Sequence, residues 1–258
     1  PVTKLNGPFV LRDNKLQFGA SSQKAGSAGN NSEATEMTAQ TLAGTLRLSG
    51  QCLLETGKVN LDATLENADL STLLLELGVP QQESQAICNV TLKDFRGIPW
   101  NPQTYHGSGS IHLTNAKLYE LPFMMRLLSV ASVSANDASA FQRADIDYRI
   151  DGDHIPLKVS ADGEVLRLRG EGWTNLGRDV NLQLYTYVGR RMPLGQVVSP
   201  LLAESRFATF MMVEVNGTLD NPTMQRRPFP QLEATLQQIF PEVAEQRSIR
   251  DAINRWRN

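Results

Sequence analysis

Apolar and polar residues alternate along most of this chain, and the alternation recurs at short intervals. Residues 41–50, 58–68, 87–95, 109–119, 144–150, 164–173, 180–188 and 211–219 are predicted strands, and many of them carry it. Within them Ile111 and Leu113; Ile146, Tyr148 and Ile150; Leu166 and Leu168; Leu182 and Leu184; and Val213 and Val215 each fall on one side of their strand. The pattern describes a mainly β, antiparallel protein whose sheet has one oily and one wet face. Residues 8–18 predict a hairpin turned at Asp13–Asn14.

The period changes in a few places. Residues 70–77 predict a short helix ended by Gly78, residues 121–133 one opened by Pro122, and residues 193–204 an apolar segment broken by Gly195 and Pro200. From about Pro230 to Arg257 a longer amphipathic helix is expected, split near Pro241. Leu232, Leu236, Ile239 and Phe240, then Ile249, Ile253 and Trp256, form its apolar stripe. Residues 20–40, rich in Ser, Ala, Gly and Asn, read as a flexible loop or linker. An internal echo joins LENADLSTL at 65–73 to LTNAKLYEL at 113–121: both fit L-x-N-A-x-L-x-x-L. Each leaves an alternating strand for a short apolar helix, as a repeated supersecondary unit does.

Composition narrows the function. Net charge is −2, so no global field recruits nucleic acid or anionic lipid. Aromatics are only 7% and are not interleaved with Arg and Lys, which excludes a base-stacking platform. No run of about 18 apolar residues is present to span a bilayer. The chain opens at Pro1 rather than Met and reads as a piece of a longer protein, with any membrane anchor expected outside it.

Candidate chemistry is sparse. Asp145, Asp147, Asp151 and Asp153 crowd one stretch, but Asp145 and Asp147 fall on a polar strand face and Asp151-Gly152-Asp153 reads as a turn. A calcium loop would need a different donor order. His106, His112 and His154 lack ligand spacing, so no metal site is expected. Gly107-Ser108-Gly109 and Gly170-Glu171-Gly172 complete no phosphate loop; glycine inside strands marks bulges or bends. No G-x-S-x-G elbow occurs, and no Ser/His/Asp set stands out, so the chain is expected not to be an enzyme and to carry no cofactor. Cys52 and Cys88 lie in separate strands and are either two buried thiols or a disulfide. Arg190–Arg191, Arg226–Arg227 and the terminal Arg255-Trp256-Arg257 fit solvated ends better than an interfacial helix.

These residues carry a family resemblance. The stretch from Gly109 to Pro122 (GSIHLTNAKLYELP), followed by an apolar helix, resembles the C-terminal region of the bacterial AsmA-like family. Phe141, the Y-x-I of Tyr148 and Ile150, the LRGEG of 168–172 and the closing VEVNGTLDNP of 213–222 follow in that family's order, over roughly residues 42–228. The resemblance implies a long, curved antiparallel sheet with an apolar concave face, an open groove or half-barrel to which the sequence pattern adds short capping helices and a C-terminal amphipathic helix. It also implies a periplasmic location, an inner-membrane anchor in the full-length protein, and a role in phospholipid transport toward the outer membrane and outer-membrane biogenesis.

The expectation is therefore a β-groove domain over residues 1–229 with a helical segment over 230–258. The groove would shelter phospholipid acyl chains on the alternating apolar sets from Ile111 to Val215 named above. Exposing an acyl chain to water costs about 0.8 kcal/mol per CH₂, so hiding it is the central physical task. A continuous apolar face performs that task without any polar constellation. The competing expectation is a closed β core serving as an interaction module, binding an envelope protein through a sheet edge or the C-terminal helix.

Overall fold

A computed structural model describes residues 2–19, 36–76, 86–114, 143–163, 166–188 and 209–227. The expected helices at 121–133, 193–204 and 230–257, the second copy of the echo beyond Thr114, and residues 20–35 lie outside the described residues.

Fourteen described strands form one large antiparallel sheet that is not closed. They are β1 (Thr3–Asn6), β2 (Phe9–Arg12), β3 (Lys15–Phe18), β4 (Met37–Thr41), β5 (Gly44–Leu53), β6 (Lys58–Asp69), β7 (Ile87–Ile98), β8 (Asn101–Thr114), β9 (Arg143–Asp151), β10 (His154–Asp162), β11 (Leu166–Asn175), β12 (Asp179–Val188), β13 (Thr209–Thr218) and β14 (Pro222–Arg227). The one described helix, α1, spans Leu70–Glu76. The chain divides into two units, 1–116 with 145–157, and 117–144 with 158–258.

In unit 1 the first strands form a hairpin that is broken along its length. β3 pairs with Gly50–Leu53 of β5, and β4 pairs with Gly44–Leu48 of the same strand, in the same direction. They are two collinear halves of one strand, with residues 20–35 intervening. β1 and β2 run beside them in the same way, broken at Gly7–Pro8. The turn at Asp13–Asn14 has φ of 48° and 58°, the geometry that follows the twist of the flanking strands. The expected linker over 20–40 is therefore too long: Met37–Gln40 lie in β4, where Ala39 supplies a buried apolar position.

Two bulges keep the apolar face in phase. On β6, Leu65 and Ala68 are an odd three residues apart, and on β7 so are Leu92 and Phe95. Strict alternation would throw the second member of each pair onto the wet face. Asn67 and Asp94, at φ of 55° and 52°, each absorb one extra residue. Asn and Asp tolerate that left-handed backbone better than other L residues. The amide each bulge frees is taken up across the strand pair: Asn67 N–H donates to Asn89 Oδ1 at 2.9 Å, and Asp94 N–H to Asp62 Oδ1 at 2.7 Å. Val59, Leu61, Ala63, Leu65 and Ala68 thus share a face with Cys88, Val90, Leu92 and Phe95.

α1 begins where β6 ends. Asp69 caps it, accepting from the Thr72 amide at 3.0 Å, the Thr72 hydroxyl at 2.6 Å and the Ser71 amide at 3.4 Å. Its first residue, Leu70, is buried and donates its amide to the Ala86 carbonyl at 3.0 Å, and Ala86 and the paired Ala68 and Cys88 are buried too.

Unit 2 is a meander in which β11, β12, β13 and β14 pair in sequence order. Sequence alternation located most strands within a few residues. It left out β1, nearly all of β4, β10, β14 and the first half of β8, and it ran one strand through Leu42–Ala43, which is a turn between β4 and β5. Both cysteines are free. Cys52 pairs with Val59 and Cys88 with Ala68, so 68 − 59 = 9 positions of β6 separate them, roughly 30 Å. No disulfide can close that gap.

Candidate functional site, an apolar sheet face

Residues paired directly across an antiparallel ladder share a face, so the registers trace the apolar surface row by row. In unit 1 one row runs Ala39, Leu46, Leu65, Val90, Ile111 over five strands. Its neighbour runs Met37, Leu48, Ala63, Leu92, Gly109. Five strands at about 4.8 Å spacing give an apolar band of roughly 19 Å. Apart from Ala39 at one end, the residues of these rows are only partly buried.

Ile146, Tyr148 and Ile150 of β9 extend the same face. The Tyr148 ring lies over Gly109, and its hydroxyl donates to the Thr91 carbonyl at 2.9 Å. Burial pushes the Tyr148 phenol above its ordinary pKa. Phe95 and Tyr105 meet edge to face with centroids 5.3 Å apart, Tyr105 lying across Gly97. Within unit 1 the strand glycines Gly50, Gly107 and Gly109 fall on this apolar face, and within unit 2 Gly170 and Gly217 share a face with Leu184 and Val180.

In unit 2 the equivalent face is much less accessible. Leu182 pairs with Val215 and Leu184 with Val213, and Leu168 faces Thr186. Val213 and Val215 are 0% exposed, Leu184 1% and Leu168 2%. Leu184 fills the space over Gly170. Leu166 is in β11 opposite Val188. The residues marked out in the sequence thus divide: Ile111, Ile146, Tyr148 and Ile150 lie on a half-exposed face with Leu113 at its buried margin, whereas Leu168, Leu182, Leu184, Val213 and Val215 are core. The face also contains Leu46, Leu48, Leu65, Val90 and Leu92, which the sequence reading did not single out. Their period of two was visible in β5 and β6; the two bulges concealed its continuity.

The opposite face is polar. Arg47 pairs with Glu66 at 3.1 Å, and that hydrogen bond holds its guanidinium above the ordinary pKa. His112 Nδ1 lies within hydrogen-bonding reach of Asp145 Oδ1, with both side chains partly buried, while His106 meets Asp151 at 3.3 Å in solvent. Glu214 accepts from Arg227 Nε at 2.6 Å, which lowers its carboxyl pKa. A shallow depression of about 550 Å³ on this face is lined by Gln17, Gln51, Asn60, Asp62 and Arg96 among others. Among the described residues no three His, Cys, Asp or Glu side chains converge to hold a metal, and no helix is long and apolar enough to cross a membrane.

Compared with protein-family models, curated proteins and solved structures, the chain shows no match to any.

Proposed function

We propose that the half-exposed apolar face of unit 1 shelters lipid acyl chains, making the protein a non-enzymatic lipid-carrying module of a bacterial envelope. The observation that supports this reading is the two adjacent apolar rows crossing five strands, led by Leu46, Leu65, Val90 and Ile111 in one and Leu48 and Leu92 in the other. These side chains are only half-buried. A contiguous apolar surface of that kind is rare unless something apolar lies on it. The family resemblance supplies the cargo and direction of the proposal, phospholipid moved toward the outer membrane by a periplasmic, inner-membrane-anchored protein.

The test is native mass spectrometry with lipid extraction on protein isolated from a bacterial envelope. Stoichiometric phospholipid, lost in Leu48→Asp and Leu92→Asp proteins that keep their circular dichroism spectrum, is the expected result. Leu168 and Leu182 are unsuitable for this test, because a charge at either buried position attacks the core itself. A folded, lipid-free wild type would favour the second reading, a closed-core interaction module. The deeply buried Leu168, Leu184, Val213 and Val215 favour that reading for unit 2.

A further inference from the structure

In unit 1 the hairpin turns at Asp13–Asn14, Leu54–Gly57, Pro99–Trp100 and Gly152–Asp153 collect at one end of the strands, away from α1. Two of them present large apolar side chains to solvent. Trp100 is 74% exposed and Leu54 is 50% exposed. Neither position is loose. The Pro99 carbonyl accepts from the Tyr105 hydroxyl at 2.7 Å, and the Ile98 amide donates to Thr104 Oγ1 at 2.8 Å. The Leu54 amide donates to the Asn14 carbonyl at 2.8 Å, and the Gly57 amide to the Leu53 carbonyl at 2.8 Å. Gly57, at φ 66°, has no side chain, and the Trp100 ring lies in the space a Cβ would need.

Immediately behind this tip the register sets three cations in one row. Arg12 pairs with Lys15, Lys15 with Leu53, and Leu53 with Lys58. Asp13 and Glu55 stand in the turns beside this row, where Glu55 is engaged by Asn14 Nδ2 at 2.9 Å, and Asp151 and Asp153 flank the β9–β10 turn at the same end, Asp151 against His106. A braced, solvent-exposed tryptophan and leucine backed by a cationic row matches the layering of a bilayer surface. Apolar groups reach the acyl boundary, the indole N–H stays at headgroup level, and ammonium and guanidinium groups meet phosphate. The net charge of −2 means that attraction is local to this row.

We propose that this end of unit 1 docks on the surface of an anionic phospholipid bilayer through Trp100 and Leu54, with Arg12, Lys15 and Lys58 contacting lipid phosphates. The docking does not depend on acyl chains occupying the sheet face.

The experiment is vesicle flotation of the full chain with phosphatidylglycerol–phosphatidylcholine or phosphatidylcholine alone, with tryptophan quenching by brominated lipid. Trp173 and Trp256 are first changed to Phe so that Trp100 reports alone. Expected are binding to the anionic vesicles, quenched Trp100 fluorescence, and binding at least about tenfold weaker in Leu54→Asp and Trp100→Asp. Lys58→Ala should lose about fivefold on anionic vesicles only. Flotation without quenching, equal binding to neutral vesicles, or no flotation overturns the proposal. So does a concentration-dependent dimer that Trp100→Asp dissociates, since the tip would then be a contact between copies.

Discussion

Tyr148 lies across Gly109, and the absence of a side chain at Gly109 is what lets it do so. A Cβ there would sit 2.5 Å from the Tyr148 hydroxyl oxygen, 2.6 Å from its Cζ, and against the Thr91 carbonyl that the hydroxyl bonds. One aromatic ring thus covers a glycine gap in the apolar face and ties β9 to β7 across β8. Gly109→Ala should cost about 1–3 kcal/mol by overpacking. Tyr148→Phe should cost about 1 kcal/mol for the lost hydrogen bond. In a Tyr148→Ala background the Gly109→Ala penalty should shrink without vanishing, because the Thr91 carbonyl remains. Urea titrations of the four proteins measure the coupling; additive penalties would mean that the two positions do not interact.

The turn between β4 and β5 places Leu42 and Ala43 at φ of 53° and 59°, a conformation suited to Asn-Gly rather than Leu-Ala. Part of the compensation is visible, since the Leu42 carbonyl accepts from the Asp69 amide at 2.9 Å. Leu42→Asn with Ala43→Gly should therefore raise stability by about 1–2 kcal/mol, the left-handed penalty less the entropy of the new glycine. A rise in thermal midpoint checks this, and an unchanged or lower midpoint would show that the Leu42 side chain contributes packing that outweighs its backbone strain.

That turn also shows where the sequence was opaque. Asp13–Asn14 was legible as a turn because its residues favour the left-handed backbone, and Leu42–Ala43 was not, because tertiary pairing imposes that backbone on residues with no preference for it. The same physics hid the apolar face. Leu65–Ala68 and Leu92–Phe95 break a period of two, and the strand register shows that it resumes past each bulge, whose freed amide is taken by Asn89 or Asp62. Alternation did mark Leu168, Leu184 and Val213 as inward-facing. It could not separate them from Ile111 or Tyr148, since it records which side a residue faces and not how deeply that side is buried.

The Asp69 cap should make stability depend on pH. The Thr72 hydroxyl bonds the charged carboxylate and, with lesser contributions from the Thr72 and Ser71 amides, lowers its pKa despite the opposing effect of burial. A group with a depressed folded pKa contributes stability above its unfolded value and loses it as pH falls through the folded one. Wild type should thus lose stability below about pH 4 relative to Asp69→Asn, whose cap does not titrate. Asp69→Ala should cost about 1 kcal/mol at neutral pH. A wild type and Asp69→Asn that track each other from pH 7 to pH 3 would mean that the carboxylate charge adds nothing to the cap.

Leu92 and Leu184 are chemically identical and both alternate inward, yet one is half-exposed in unit 1 and the other is 1% exposed in unit 2. Truncating Leu184 to Ala removes the side chain that fills the space over Gly170 and should cost about 2–5 kcal/mol. Truncating Leu92 deletes methylenes that are partly wet already and should cost about 1 kcal/mol. Urea midpoints at unchanged slope, on lipid-free protein, give the comparison. Equal penalties would mean that protein seals the unit 1 face as tightly as that of unit 2, leaving no apolar surface for an acyl chain. A large difference that narrows when phospholipid is added to Leu184→Ala and wild type, but not to Leu92→Ala, would place the lipid on the row that Leu92 occupies.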